Sequence, residues 1–472
     1  EIASCLVGSE MCIRDSPVLL NSWEACYFKI DEKKLLQLAK AGKDAGIELF
    51  VMDDGWFLGR NDDTSSLGDW EPDPKKLPGG IASLSKKIKA LGMDFGLWVE
   101  PEMISENSNL YKEHPDWAMK IPGHPHSEGR NQCILDLCNP EVRKYVIEEM
   151  TRVFSSGDIR YAKWDMNRIF SDIYAPSLPA ERQGETAHRY VLGLYQIMEE
   201  LTTRFPMILF EGCSAGGNRF DLGILCYFPQ IWASDNTDAL CRTGIQNSYS
   251  YGYPLSVFTA HVSSCPNHQT LRITPLETRF QVASFGILGY ECNLKDLSGS
   301  DLNAIREQIA LYKKWRDVFQ FGTFYRGTEN EDSDSETLSW TCVSPDGRRA
   351  VGLFFRRLTT PNQSHDWYRP VGLLPDVKYH FYGRNIKYNL KDFGDLVNTV
   401  SPVHIKQGSA LQEILSRFVN MDGEKEDLTA YGDTLMLAGI ALKPAFAGTG
   451  YNSDTRLFPD FSSRIYFMEA VE

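Results

Sequence analysis

The sequence predicts an α/β protein, a (β/α)8 TIM barrel followed by a C-terminal all-β sandwich. Three observations carry this expectation. Between Pro17 and about residue 325, short apolar runs alternate with amphipathic helical segments. After about residue 335 the pattern changes to short strand-like runs separated by Asp, Asn, Gly and Pro. The length of 472 residues leaves room for a barrel of about 250 residues or more and a second domain.

The expected barrel strands are Val18–Trp23, Glu48–Asp53, Asp94–Val99, Tyr161–Asp165, Met207–Glu211, Gln230–Ser234, Ser256–Ala260 and Ser284–Gly289. Each is short and apolar, as strands buried on both faces of a parallel sheet must be. Helices separate most of them. Asn139-Pro140 supplies an N-cap and first-turn Pro, and Val142, Tyr145, Val146, Met150 and Val153 then form a buried stripe. Asp31–Ala45, Thr186–Arg204 and Asp301–Phe319 follow the same pattern. In the C-terminal region the strand-like runs are Thr337–Val343, Ala350–Arg356, Tyr379–Phe381, Leu435–Met436 and Arg464–Phe467. The acidic stretch Glu329–Glu336 marks the boundary, giving a barrel over 17–330 and a sandwich over 336–472.

Composition narrows the function classes. Lys+Arg 49 against Asp+Glu 63 gives a net charge of −14, which repels polyanions, so no nucleic acid and no anionic membrane surface is expected as partner. No apolar run approaches the roughly 18 residues that cross a bilayer. The 11 Cys are an odd number, scattered as singletons from Cys5 to Cys342, which fits reduced thiols and a cytoplasmic location. His124 and His126 stand two apart in a Gly/Pro-rich loop with no third ligand nearby in sequence, so neither a metal nor another cofactor is expected. Residues 1–16 carry neither a basic nor an apolar signal region. Their CLVGSEMCIRDS stretch reads as translated sequencing adapter, so a non-native leader on a piece of a longer reading frame is expected.

Polar residues at the C-terminal ends of barrel strands line active sites. Here those ends carry Asp53-Asp54-Gly55-Trp56, Trp98-Val99-Glu100-Pro101-Glu102, Lys163-Trp164-Asp165-Met166-Asn167-Arg168, Glu211-Gly212-Cys213-Ser214 and Ser234-Asp235-Asn236-Thr237-Asp238. A single Asp at such a junction is usually a structural cap. Five strand ends behaving alike point to a site. Carboxylates that accept from hydroxyls, tryptophans that pack on a ring's C–H face, and no phosphate loop describe a sugar pocket. Two carboxylates flanking an anomeric carbon are what glycosidic cleavage needs.

On these residues the sequence resembles the retaining α-galactosidases of glycoside hydrolase family thirty-six, in clan D. The matching stretches are Asn21–Ala25, Leu49–Trp56, Trp98–Met103, Lys163–Arg168, Cys213–Asp221 and Ser234–Ala239, collinear and in the family's spacing. The resemblance implies Asp165 as nucleophile and Asp235 as acid/base, with Asp238 the alternative acid. It places Asp53 and Asp54 on the galactose C4 and C6 hydroxyls, with Trp98, Arg130, Lys163, Asn167, Cys213 and Gly216 completing the pocket. The chain departs from the family at Ala215 and Asn218, where glycine is usual or frequent. Residue chemistry agrees with these roles. Lys163 shares a strand face with Asp165 and would keep a carboxylate ionised, whereas Asp235, close after Trp232, would sit in a drier place that raises its pKa.

The resemblance further implies release of terminal α-galactose from raffinose- or melibiose-type oligosaccharides by double displacement. Within the family, an α-N-acetylgalactosaminidase or a galactosyl transferase are the alternatives; outside it, an inactive truncated sugar-binding fragment. The resemblance implies that full-length members carry an N-terminal β-sandwich domain before the barrel, which these residues are expected to lack, and the full-length form is expected to be a homo-oligomer.

Overall fold

The computed structural model describes residues 16–127, 129–327, 336–360, 365–399, 401–416, 418–446 and 455–471. Residues 1–15 of the expected leader and most of the acidic boundary stretch lie outside them. The chain divides into two compact units.

The first unit takes in the described residues up to Thr237, Ser256–Gln269 and Gly286–Leu311. Its centre is a closed parallel barrel of β1 (Leu19–Asn21), β2 (Leu49–Met52), β3 (Asp94–Val99), β4 (Tyr161–Trp164), β5 (Leu209–Gly212), β6 (Gln230–Trp232), β7 (Phe258–Ser263) and β8 (Ile287–Glu291). The strands neighbour one another in chain order, and β1 closes the ring by pairing with both β2 and β8. Nearly every strand residue is buried, which explains why the runs read as continuously apolar. All eight expected strands are present, but the last two lie two to three residues further along than their apolar runs suggested.

The helices begin where local chemistry stops their first N–H groups from being orphaned. Asp31 accepts from the Lys34 amide and opens Glu32–Ala45, which ends at Gly46 in a left-handed conformation. Asn139 caps Pro140–Phe154 through the Glu141 amide, and Val142, Val146, Met150 and Val153 are its buried stripe. Thr186–Arg204 has the predicted bounds, and the last predicted helix spans Gly299–Phe321.

The second unit comprises Asp238–Leu255, Thr270–Phe285 and the described residues from Tyr312 onward. It holds an antiparallel sheet of β9 (Thr323–Arg326), β10 (Thr337–Val343), β11 (Arg349–Arg356), β12 (Lys378–Gly383), β13 (Asp427–Tyr431) and β14 (Ser462–Ala470), in the order β9-β10-β11-β14-β12-β13. A two-stranded ribbon, Trp367–Tyr368 with Ile440–Ala441, packs Tyr368 and Ile440 into the same core as Phe354, Phe381 and Met468. Helix Leu276–Ala283 joins this unit because Thr278 Oγ1 accepts from the Ser463 amide at 3.1 Å and Gln281 Oε1 from Ser463 Oγ at 2.8 Å. One strand expectation fails: Leu435–Met436 lies in helix Gly432–Leu437. Two adjacent apolar residues fit either period, and Asp433 in the first turn of this helix suits the positive end of its dipole.

Candidate active site

The C-terminal ends of the barrel strands enclose a cleft that opens to solvent and is lined mainly by carboxylates, tryptophans and other polar side chains. Trp23 and Glu24 enter it after β1, Asp53 and Asp54 after β2, and Trp98 from β3. Lys163, Asp165 and Asn167 come from the end of β4, Trp232, Asp235 and Thr237 from that of β6, His268 and Gln269 after β7, and Glu291 from β8. Arg130 reaches in from the loop preceding the short strand Cys133–Ile134. Arg168 anchors that loop: its guanidinium donates to the Gln132 carbonyl, to Ser127 Oγ at 2.6 Å and to His126 Nε2 at 3.1 Å.

Asp165 is held by three donors. Met166 N reaches Oδ1 at 2.9 Å, while Asn167 Nδ2 at 2.7 Å and Trp98 Nε1 at 3.1 Å both reach Oδ2. Trp98 and Lys163 are register partners on adjacent strands, so the indole and the segment after β4 face the same cleft. Lys163, however, does not bond to Asp165. Its Nζ donates to Asp53 Oδ2 at 3.1 Å, and Asn21 Nδ2 reaches the same oxygen at 2.7 Å. The Lys163 charge, expected to act on the face it shares with Asp165, makes its direct bond to Asp53 instead. Burial opposes the Lys163 charge, but Asp53 and the surrounding acids outweigh it and hold the pKa well above its ordinary value.

Asp235 stands in a different environment. Its surface is reachable from the cleft, yet protein surrounds most of the carboxyl, and this partial desolvation raises the pKa, with the negative charge of Asp165 adding to it. Lys163 and a 2.9 Å bond from Trp232 Nε1 oppose the rise. Asp238, the alternative acid, is outside the cleft lining. It caps helix Ala239–Tyr249 through the Cys241 amide and pairs with Arg272. Asp54 is buried and gripped by Arg60, Nε to Oδ1 at 3.0 Å and Nη2 to Oδ2 at 2.8 Å. Burial raises its pKa, and Arg60 opposes that.

Two sequence candidates stand behind the wall rather than in it. Cys213 is buried beside Asp165, and burial followed by the charges of Asp165 and Asp235 pushes its thiol well above the ordinary range. Gly216, at φ +85°, packs where a Cβ would stand 2.9 Å from Ser234 Cα and 3.0 Å from Asp235 N, so its smallness sets the position of Asp235. Ala215, where glycine was the usual residue, takes φ +45°, the conformation glycine adopts most readily.

Sequence reading did not single out Trp23, Glu24, Trp232, Thr237, His268, Gln269 or Glu291 as site residues. Trp23 and Glu24 carried the same strand-end signal as Asp53. His268, Gln269 and Glu291 were hidden because β7 and β8 were expected to end at Ala260 and Gly289, short of Ser263 and Glu291. These residues form an ionic far wall. His268 Nδ1 lies 3.1 Å from Glu24 Oε1, which raises the His268 pKa, while Thr237 Oγ1 donates to the same oxygen at 3.0 Å. Away from the cleft, His126 does find companions: Glu106, His126 and Cys133 offer ligand atoms within 4.8 Å of one another, though His126 Nε2 already accepts from Arg168. The nine described cysteines are all unbridged, and among the described residues no helix is long and apolar enough to cross a membrane.

Residues 2–322 match the Melibiase family and residues 337–468 the Glycosyl hydrolase family 36 C-terminal domain. The chain is 48% identical over 373 residues to alpha-galactosidase AgaA of Geobacillus stearothermophilus, covering 79% of this chain and 51% of that protein. It is also 48% identical over 374 residues to alpha-galactosidase 1 of Pediococcus pentosaceus, again covering 79% of this chain and 51% of the relative. The chain thus spans about half the length of the curated relatives it matches. The crystal structure of AgaA superposes with a TM-score of 0.82 at 42% identity, over 97% of this chain and 56% of that one. Variants of AgaA have been solved with raffinose and with stachyose. A barrel cleft of carboxylates and tryptophans, joined to these matches along nearly the whole chain, places the protein in glycosyl hydrolase family 36.

Proposed function

We propose that the protein is a retaining α-galactosidase that releases terminal α-galactose from raffinose-type oligosaccharides. In this reading the barrel domain spans 17–330 and the C-terminal module 336–472. Asp165 attacks the anomeric carbon as Asp235 protonates the leaving oxygen; Asp235 then draws a proton from water, which displaces Asp165 and frees galactose with its configuration retained. One observation carries the proposal: a donor-held carboxylate and a carboxyl of raised pKa share a cleft, and the charge of the first contributes to the rise of the second. The division of labour follows. Asp165 has three donors to stabilise its charge, whereas the environment of Asp235 favours the protonated form an acid needs. Asp53 and Asp54, fixed by Lys163 and Arg60, offer acceptors to the axial C4 and the C6 hydroxyls, and an epimer lacking the axial hydroxyl leaves buried acceptors unpaired. Trp98 and Trp232 supply flat walls, and Arg130 and Asn167 complete the polar rim.

The AgaA structures with raffinose and stachyose each carry a replaced aspartate, and the two replaced positions are as far apart in that chain as Asp165 and Asp235 are here. The test is turnover of p-nitrophenyl α-galactoside by the purified chain, with Asp165→Ala as control and product configuration followed by proton NMR. Turnover lost in the variant, with α-galactose as first product, is expected. Unchanged turnover in Asp165→Ala, or β-galactose as first product, overturns the proposal.

A further inference from the structure

Below Asp165 lies a second carboxyl that the mechanism above does not use. Glu100 follows the end of β3 and has no solvent exposure. Its Oε1 accepts twice, from the Asn167 amide and from Gln132 Nε2 at 2.7 Å, whereas Oε2 is buried without a hydrogen-bond partner. Asn167 in turn donates through Nδ2 to Asp165, so Glu100 stands one residue removed from the proposed nucleophile. Gln132 sits two residues beyond Arg130, so the same oxygen ties the segment after β4 to the loop that carries Arg130.

We propose that Glu100 is a positioning residue, a carboxylic acid kept neutral beneath Asp165, which fixes Asn167 and through it the Asp165 carboxylate. The proposal rests on reading Asp165 as the nucleophile. Three features favour the neutral form. A charged oxygen at Oε2 would be buried without a partner, the least favourable placement for a carboxylate. The charged groups acting on Glu100 are Asp165, which opposes a second negative charge, and Arg60, whose Nε and Nη2 are already engaged by Asp54. Burial, then Asp165, pushes the Glu100 pKa up to about 8, against the bonds from Asn167 and Gln132 and the charge of Arg60. A neutral acid leaves one negative charge below the anomeric carbon, on Asp165. Losing its proton at alkaline pH places a second charge beside the first and changes the bond that orients Asn167.

The experiment compares the wild-type chain with Glu100→Gln, which keeps a carbonyl for both donors, and Gln132→Leu, which removes one donor and leaves the acid. Two readouts need no activity: infrared difference spectra of protonated carboxyls, and the Asn167 amide resonance in 15N-labelled protein, both between about pH 6 and pH 10. In wild type a carboxyl band and the Asn167 amide are expected to titrate together near pH 8. Both transitions vanish in Glu100→Gln and move to higher pH in Gln132→Leu. With p-nitrophenyl α-galactoside, the alkaline limb of kcat/KM attributable to Glu100 disappears in Glu100→Gln, while Glu100→Ala, which gives the Asn167 amide no acceptor, lowers kcat further than Gln does. An Asn167 amide that titrates identically in wild type and Glu100→Gln, or a wild type without the band at pH 6, overturns the inference. An inactive wild type whose band and amide still titrate together overturns the hydrolase reading alone.

Discussion

Replacing Arg60 by Leu is expected to destabilise the protein more at pH 8 than at pH 5. The guanidinium is 1% exposed and the Asp54 side chain 5%, and two of its nitrogens grip that carboxylate while Nη1 donates to the Ser65 carbonyl at 2.8 Å. Taking one partner from a buried ion pair costs about 3–5 kcal/mol, because a charge is left without its counterion. Asp54 escapes part of that cost by protonating, and burial already raises its pKa. The sign follows from where the proton sits. A folded-state pKa above the unfolded one means the folded form retains a proton the unfolded form releases. Stability therefore declines as pH rises from the ordinary aspartate range toward the folded pKa, by at most about 1.4 kcal/mol per pH unit. Without Arg60 the folded pKa moves higher and the window of decline lengthens. Glu100 loses the same opposing charge and adds to the slope. At pH 5 protonation of Asp54 relieves part of the penalty, whereas near pH 8 the total reaches about 3–5 kcal/mol. Urea unfolding of both proteins at the two pH values, followed by tryptophan fluorescence, measures this. A penalty that is the same at both, or larger at pH 5, refutes the assignment of Arg60 as the counterion of a buried carboxylate.

Four further outcomes are expected. Gly216→Ala places a Cβ 2.9 Å from Ser234 Cα at φ +85°, so about 1–2 kcal/mol of strain and a displaced Asp235 should appear as a lower melting temperature and a kcat reduced at least about tenfold. Trp98→Phe removes the 3.1 Å indole bond to Asp165, a charge-assisted bond worth about 1.5–3 kcal/mol, so steady-state kinetics should show kcat down by about 10–100-fold. Asp235→Asn should lose about 10²–10⁴-fold in kcat/KM on raffinose and much less in kcat/KM on p-nitrophenyl α-galactoside, whose leaving group needs no proton; equal losses of kcat/KM on both would count against Asp235 as the acid. In the second unit, Gly352→Ala sets a Cβ 1.8 Å from the hydroxyl of buried Tyr368, which bonds Thr341 at 3.0 Å, so calorimetry should record a loss of about 1–3 kcal/mol or more.

The strand-end signal worked unevenly, and the reasons are physical. Asp53, Asp54, Trp98, Lys163, Asp165, Asn167 and Asp235 were legible because the expected apolar run reached or passed the end of the strand that each one belongs to or follows. Glu291 closes β8 in the same manner and was missed only because the run was cut two residues short. Arg130 came from the resemblance alone: it lies in a loop, at φ +50°, and no periodicity points to it. Glu100 stands in a strand-end motif, but a buried carboxyl is distinguishable from a cap only once its partners are known. Leu435 and Met436 show the opposite limit, a pair too short for either period to declare itself.

By itself the sequence determined the order of eight parallel strands, the antiparallel module after them, and the carboxylates at one end of the barrel. These depend on burial along a single strand or helix, which a local pattern of apolar residues reports. Only the tertiary structure decided which polar groups meet: Lys163 with Asp53, Arg60 with Asp54, Glu24 with His268, and Glu100 with the Asn167 amide. Strand register and loop closure bring together residues such as Asp53 and Lys163, 110 positions apart, and an ionisable group takes its properties from those neighbours rather than from its place in the chain.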